Sequence, residues 1–232
     1  MDREQQEGRP GRIDRTGGTE DVPAFAPGSA SGSASGTADA IVDVVIELLE
    51  SGGPEAAQLR EVARRARVSL ATIYKLFPTR DELVLAAVER WMAANNYADL
   101  APPRVDEPLY EGLMRVFRHV FEPWERNPRM LQAFHRARTT SAGRARLDLQ
   151  GMAAVEPVAR AVLEGADPEY VDDIDLVLTN LAYALVARVA DGTLEVTDIL
   201  PLLDRAVFRL TTNNESAATA VPVRRAQRRE RG

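Results

Sequence analysis

The side chains between residues 60 and 80 carry a local excess of positive charge that could bind phosphate groups. Its basic members are Arg60, Arg64, Arg65, Arg67, Lys75 and Arg80, and Glu61 is the one acid among them. The chain as a whole has a formal net charge of -6. A basic island in an acidic chain favours binding of a polyanion through the island itself. Charge alone leaves open the alternative of a solvated face without a partner.

Residues suited to catalysis or metal binding do not form a recognisable set. The chain has no cysteine, and neither of its histidines, His119 and His135, has a partner at metal-ligand spacing. It contains no G-x-S-x-G run and no phosphate-binding glycine loop. The acid pair Asp172 and Asp173 lies near a predicted helix start, where capping explains it. We therefore expect no catalytic residue, no metal and no cofactor, and an enzyme is the less favoured class.

The two ends of the chain differ in composition from its middle. Residues 1–36 are rich in Gly, Ser, Ala, Pro and charge, and we expect a disordered N-terminal arm. Residues 213–232 end in "VRRAQRRERG" and predict a disordered basic tail, for which contact with DNA stays open. Because the chain lacks a long apolar run and an apolar signal segment, we expect a cytoplasmic protein without a membrane partner.

Between these ends, apolar residues recur at helical spacing and no β alternation persists, which predicts an all-α fold. The first helix should begin near Thr37 and end at Gly52 and Gly53. Short helices follow at 58–67 and 69–77, and Pro78 ends the second of these. Later helices are predicted at roughly 108–126, 128–138, 144–164, 168–190 and 197–212. Pro157 should kink or split the helix that contains it.

Helix boundaries are marked by capping residues. Ser69 is the expected cap of the 69–77 helix, and Thr79 with Glu82 forms a T-x-x-E capping box for a fourth helix. Asn127 and Asp167 each precede a proline and are expected to cap the following helices.

The helices at 58–67 and 69–77 have the proportions of a helix-turn-helix unit. Such a unit keeps one face in the core and projects the other into a DNA major groove. Ile73 and Phe77 are the expected anchors, which leaves Thr72, Tyr74 and Lys75 to project.

The stretch "LREVARRARVSLATIYKLFPTRDELVLAAV" resembles the DNA-binding domain of TetR-type transcriptional repressors over residues 38–91. The run Thr-x-Tyr-x-x-Phe-Pro-Thr-Arg, residues 72–80, is highly specific for that family. The resemblance implies a homodimer with a three-helix DNA-binding domain at 37–85 and a helical ligand-binding and dimerisation domain at 86–212. The implied DNA contacts are Gln58, Arg60, Ser69, Leu70, Ala71, Thr72, Tyr74, Lys75 and Arg80. Among these, Tyr74 and Arg80 match phosphate-binding positions.

Three residues depart from the family pattern. Arg67 occupies a turn position where glycine is usual, and a left-handed conformation there would cost about 1 kcal/mol. Leu70 replaces a frequent basic residue, and Ala71 replaces a frequent glycine. Readout by Leu70 would be apolar, for instance against a thymine methyl group.

Large flexible side chains in the C-terminal half predict a pocket for a hydrophobic effector, with plain core as the alternative. The candidates are Met114, Phe117, Phe121, Trp124, Met130, Phe134 and Met152. The segments "GGPEAAQLREVA", "ERNPRMLQAFHRAR" and "VTDILPLLDRAVFRL" resemble cholesterol-catabolism repressors of mycobacteria and their relatives (KstR-type). That resemblance implies a steroid or fatty acyl-CoA as effector. A repressor of a multidrug-efflux gene is the alternative.

The last two helices are apolar over more than one face, which predicts that a partner covers one of these faces. The predicted dimer interface consists of Leu178, Leu181, Leu185, Val189, Leu203 and Val207, and a second stripe begins with Val177, Ala184 and Arg188. A two-fold dimer places two recognition helices about 34 Å apart or a multiple of it, which predicts a pseudo-palindromic operator in double-stranded DNA. A scaffold dimer with a disabled DNA reader remains a further alternative.

Overall fold

The computed structural model describes residues 30–211, which form helices joined by short connections and contain no strand. The predicted all-α class is confirmed. The α-helices are α1 Ala30–Gly52, α2 Leu59–Ala66, α3 Leu70–Leu76, α4 Arg80–Asn95, α5 Leu109–Arg126, α6 Pro128–Arg138, α7 Ser141–Val162, α8 Pro168–Ala190 and α9 Ile199–Thr211. Two short 3-10 helices, Pro54–Ala56 and Val196–Asp198, precede α2 and α9.

The helices α1 to α3 pack with α4 around a common core. Fully buried side chains from each of them meet there, including Ile41, Leu49, Val62, Ile73 and Leu83. This core does not end with α1 to α3, because α4 also contacts α6 and α7. The continuous apolar cluster therefore extends from α1 through α4 into the C-terminal helices.

In the C-terminal half, α5 packs against α7 and α9, and α8 packs against α6 and α9. A second, smaller apolar cluster lies between α5, α8 and α9 and includes Leu113, Met114, Leu178 and Val207. No helix within residues 30–211 combines the length and the apolar character needed to cross a membrane.

The start of α1 differs from the prediction. The helix begins at Ala30, upstream of Thr37, so residues 30–36 are helical and the predicted N-terminal arm is too long. Once the core-facing part of α1 is held by packing, adding upstream residues needs no new nucleation. Composition cannot reveal this extension. The rest of the predicted arm and basic tail, 1–29 and 213–232, lies outside the described residues.

Pro157 does not split its helix, because α7 runs without interruption through it. The predicted split is therefore wrong. The proline removes one backbone hydrogen bond, and the carbonyl that loses its partner belongs to the exposed residue Ala153, where water can replace the bond. The α7 helix also begins at Ser141, earlier than predicted, because Thr140 Oγ1 accepts a hydrogen bond from the Gly143 N–H at 3.0 Å.

The predicted caps of α3 and of α4 are confirmed. Ser69 Oγ accepts from the Thr72 N–H at 3.0 Å, and Thr79 Oγ1 accepts from the Glu82 N–H at 3.1 Å. Asp167 also caps α8 as predicted. Asn127 is different, since its side chain makes no cap and its amide donates to Glu50 Oε1 at 2.9 Å. Instead of accepting from an N–H in the first turn of α6, the side chain donates to a carboxylate at the end of α1.

Arg67 adopts the left-handed conformation, with φ 56° and ψ 39°, at the turn between α2 and α3. The conformation lets the Val68 N–H donate to the Ala63 carbonyl at 3.0 Å. This bond supplies a partner for a carbonyl in the last turn of α2. A side chain with a Cβ pays for this turn with local strain that glycine would avoid.

We expect Arg67→Gly to raise the free energy of unfolding by about 1 kcal/mol, because glycine adopts the left-handed region without that strain. Arg67→Ala is the matched control, since it removes the guanidinium and keeps the Cβ. Chemical denaturation of the three proteins measures the difference. Equal stability of the glycine and alanine variants would contradict the strain argument.

Candidate nucleic-acid interface

The α2 and α3 helices form a compact pair with an inner and an outer face. Val62 and Ile73 are fully buried and hold the pair against α1 and α4. The outer face is open to solvent, with Tyr74 53 % exposed and Leu70 37 % exposed. Large side chains on a short, firmly anchored helix are thus directed outward, as entry into a groove requires.

Most of the predicted DNA contacts lie at the surface. The exposed members of the set are Gln58, Arg60, Ser69, Leu70, Ala71, Tyr74 and Lys75. Thr72 and Arg80 are half-buried. The hydroxyls of Ser69 and Thr72 lie 2.9 Å apart and bond to each other, which fixes both rotamers in the first turn of α3. This set is available for DNA, with Arg80 as an exception.

The basic island is partly neutralised by its own acid. Glu61 accepts hydrogen bonds from Arg64 Nε at 2.8 Å and from Arg65 Nε at 2.6 Å. These bonds, from Arg64 first and then Arg65, lower the pKa of Glu61 to about 2. The carboxylate therefore stays ionised at neutral pH. Within residues 30–211, Arg60, Arg67 and Lys75 form no ion pair, which leaves them as the freer cations of the island.

Arg80 is directed onto the protein's own backbone. Its Nε donates to the Ala57 carbonyl at 2.8 Å, and its Nη2 donates to the Pro54 carbonyl. Both acceptors lie just before α2. The sequence predicts a phosphate contact here from the family resemblance and contains no local signal for this alternative use.

The predicted pocket residues other than Met152 lie in the core or pack against it. The rings of Trp91 and Trp124 lie 4.9 Å apart, and Trp124 lies 5.4 Å from Phe134. The remaining members of this buried group are Phe121 and Met130, with half-buried Phe117 beside them. Met114 belongs to the second cluster. Met152 is 59 % exposed on α7, so its predicted place in an interior pocket is wrong.

An open groove lies between α5 and α9, with a volume of about 410 Å³. Its lining consists of Met114, Arg118, Leu200, Pro201, Asp204 and Arg205. Met114 is the one member that the sequence placed in a pocket. The others were missed because they come from two helices whose neighbourhood the sequence does not give.

Four of the six predicted dimer residues face inward instead of outward. Leu178 and Leu185 are each 3 % exposed, and Leu203 and Val207 are fully buried within one chain. Their assignment to a dimer interface is wrong, because they already fill the protomer's core. Leu181 and Val189 are half-buried. The apolar side chains that reach the surface of α8 and α9 are Leu176, Val177 and Phe208, which are 63 %, 44 % and 46 % exposed.

Residues 41–87 match the sequence family described as "Bacterial regulatory proteins, tetR family", and residues 107–210 match "Tetracyclin repressor-like, C-terminal domain". The chain is 30 % identical over 181 residues to the HTH-type transcriptional repressor KstR of Mycolicibacterium smegmatis, covering 72 % of this chain and 83 % of that protein. It is 27 % identical to KstR of Mycobacterium tuberculosis, over 73 % of this chain and 78 % of that one.

The chain belongs to the TetR family. Solved structures agree with this fold. A TetR transcriptional regulator from Rhodococcus sp. RHA1 superposes with a TM-score of 0.58 at 20 % identity, covering 74 % of this chain and 95 % of the other. A second, TetR-like regulator from the same organism gives a TM-score of 0.53 at 19 % identity, covering 75 % and 94 %.

This TetR-family chain is a DNA-binding transcriptional repressor, and the prediction of a regulator instead of an enzyme is confirmed by these relatives. Its helix-turn-helix is α2 and α3, and its recognition helix is α3. The specific contacts with DNA remain predictions, which substitutions on α3 can test.

Lys75→Ala should weaken operator binding and reduce the slope of log affinity against log salt by about one, if the ammonium contacts a phosphate. An operator selected from random duplexes with the unaltered protein serves as the probe. Arg160→Ala removes a cation that is 75 % exposed near the end of α7, outside the helix-turn-helix, and is the control. A Lys75 variant with unchanged affinity and slope would place that side chain in solvent.

Proposed function

We propose that this protein is a ligand-responsive repressor that binds a pseudo-palindromic operator as a dimer and is released by a hydrophobic effector. The observation that carries the proposal is the continuity of the core. Leu83 and Trp91, both on α4, are buried in one cluster that also contains the anchors of α3 and the aromatic side chains of α5 and α6. A displacement of side chains at either end of α4 therefore disturbs the same apolar cluster.

The reading face supports binding in a major groove. Leu70 and Ala71 lie exposed at the start of α3, where side chains of a recognition helix approach base edges. An exposed leucine in this position suits a thymine methyl group better than a phosphate. Tyr74 and Lys75 are exposed one turn later and supply the polar contacts.

The exposed apolar side chains of α8 and α9 support a dimer. Leu176 and Val177 on α8 and Phe208 on α9 are large apolar groups that water surrounds in the isolated chain. Burial of such groups against a second copy would remove them from water, and an isologous interface uses the same patch twice. This surface replaces the inward-facing stripe as our proposed interface.

The aromatic group around Trp124 supports the effector site. It lies where α4, α5 and α6 meet, and Trp91 is its member on α4, the helix that follows the helix-turn-helix. The Trp91 Nε1–H donates to Glu50 Oε1 at 2.7 Å. Movement of this ring would therefore also displace Glu50 at the end of α1. A ligand that inserts among these rings must separate side chains that now touch, and α4 would shift with them.

The KstR resemblance supports a steroid or a fatty acyl-CoA as the effector. The relatives are named as transcriptional repressors, and residues 107–210, where the effector would bind, match a C-terminal domain of the family. A large apolar body suits the core of aromatic and methionine side chains, which can repack around a ligand.

We expect Val177→Asp to shift the protein from dimer to monomer and to weaken operator binding, because a buried aspartate without a partner opposes association. Leu149→Asp is the matched control, since Leu149 is 68 % exposed on α7, outside the proposed interface. Sedimentation equilibrium gives the mass of each variant. A Val177 variant that remains a dimer with wild-type stability would place the interface elsewhere.

The proposed function predicts strong discrimination among DNA sequences and reciprocal coupling to an effector. Operator affinity should exceed that for a scrambled duplex by roughly 10³-fold or more at physiological salt. A steroid acyl-CoA, a long-chain fatty acyl-CoA and a cationic dye are titrated with and without operator. The true effector binds more weakly to the operator complex, by the same factor that it weakens operator binding.

The alternatives give different results in this experiment. Equal affinity for operator and scrambled duplex would favour a scaffold dimer with a disabled reader. Release by the dye and by neither thioester would favour an efflux-type repressor. Equal ligand affinity with and without operator would refute the coupling.

A further inference from the structure

Arginines from two helices converge on the connector, which we define as residues 51–57, between the last turn of α1 and the start of α2. Arg80 of α4 donates to the carbonyls of Pro54 and Ala57. From α6, Arg129 donates to the Ser51 carbonyl and Arg136 pairs with Glu55. The connector is thus held by charged side chains from both the reader side and the effector side of the molecule.

Of these three arginines, Arg80 has the contacts that bear on the reader. The Arg136–Glu55 pair is largely exposed, with 53 % and 81 % of the two side chains accessible, and exposed pairs contribute little. Arg80 is half-buried, and both of its acceptors are backbone carbonyls. The carbonyl of Ala57 belongs to the residue immediately before Gln58, the N-cap of α2.

The connector needs an outside support because its own backbone is irregular. Gly53 has φ 71°, and Ala57 has φ -77° with ψ 59°, so neither continues a helix. Gln58, the N-cap of α2, has an extended backbone, and its side chain makes no capping hydrogen bond. The fork of a guanidinium can hold two separate carbonyls at once, which a lysine ammonium on its flexible stem cannot do with the same geometry.

The cleft beside Arg80 shows which way this side chain is directed. A small cavity of about 140 Å³ is lined by Arg80 together with Pro54, Val84 and Arg136, among others, and lies between α4, α6 and the connector. Tyr74 and Lys75, in contrast, extend from α3 into solvent. The guanidinium therefore faces the C-terminal domain and the connector.

From this geometry we infer that Arg80 is a positioning residue for operator recognition and not a phosphate contact. Arg80 is the first residue of α4, and its two hydrogen bonds tie the start of α2 to that helix. Gln58 and Arg60, at the start of α2, are carried with it. The position of α2 on DNA is then set by α4, the helix that the proposed effector moves. This inference rests on the proposed function for its role in regulation, although the contacts themselves do not.

The experiment compares Arg80→Gln and Arg80→Lys with the unaltered protein and with Lys75→Ala. A positioning role predicts that both Arg80 variants lose operator affinity by about tenfold and that lysine gives no rescue, since neither side chain restores both carbonyl bonds. A phosphate contact predicts the opposite pattern. Arg80→Lys would then keep most of the affinity, and Arg80→Gln would reduce the slope by about one, as expected for Lys75→Ala.

Hydrogen exchange on the DNA-free protein provides a second readout that does not depend on operator binding. The Val62 N–H donates the first helical hydrogen bond of α2, to the Gln58 carbonyl at 2.9 Å. This amide hydrogen should exchange with solvent faster in both Arg80 variants. Protection of the α4 amides around Val88 should stay as in the unaltered protein, which excludes general unfolding. Arg65→Gln is the control, because it removes an arginine of α2 that contacts Glu61 and not the connector.

These readouts separate failure of the inference from failure of the proposed function. Unchanged exchange in α2, or a lower salt slope for Arg80→Gln with rescue by lysine, would overturn the positioning role even if the protein recognises its operator. Faster exchange in α2 supports the structural part of the inference even if the operator turns out to be released by a different class of effector.

Discussion

The structure depends on α4 being buried on more than one side. Seven of its side chains are buried, namely Leu83, Val84, Leu85, Ala87, Val88, Trp91 and Met92. A helix with a single apolar stripe serves one core, whereas one that is apolar over most of its circumference must be enclosed by several elements. Here α1 encloses α4 on one side, and α6 and α7 enclose it on another. The DNA-reading unit therefore has no core that is independent of the C-terminal helices.

Glu50 shows how polar groups reinforce this shared packing. Its Oε1 accepts from Trp91 Nε1 at 2.7 Å and from Asn127 Nδ2 at 2.9 Å, which joins the end of α1 to α4 and to the start of α6. The connector that follows Glu50 is held by the arginines of α4 and α6. Apolar contacts thus fix α4 along its length, and hydrogen bonds fix the irregular chain next to its first turn. We therefore expect α2 and α3 to follow a displacement of α4.

The parts of the fold that the sequence predicted are those governed by local chemistry. Ser69 and Thr79 cap the helices that follow them because the acceptor and the donor lie within three residues of each other. Pro78 stops α3 for an equally local reason. The Arg67 turn was also foreseeable, since the chain must reverse there between two anchored helices. The exposed face of α3 follows once Ile73 is placed in the core.

The features that could not be predicted from the sequence depend on which helix faces pack against each other. The α8 helix has two apolar stripes, and periodicity alone does not say that the one containing Leu178 faces inward while Val177 faces out. The same holds for Met152, which is apolar but exposed. It also holds for Asn127, whose amide donates to the carboxylate of Glu50 instead of capping α6. Arg80 is the clearest instance. Its type and position fit a phosphate contact, and only the folded connector provides the carbonyls that compete for it.

The charge of the reader also follows from packing and has a consequence for selectivity. Glu61 offsets Arg64 and Arg65, and Arg80 is directed onto the backbone, so fewer cations face DNA than the sequence suggests. The chain carries a formal net charge of -6, which repels a polyanion at a distance. Phosphate contacts supply most of the affinity for unrelated DNA, so we expect this protein to bind such DNA weakly. If Leu70 and Ala71 contact base edges as proposed, we expect them to contribute a larger share of the affinity and the ratio of specific to nonspecific binding to rise.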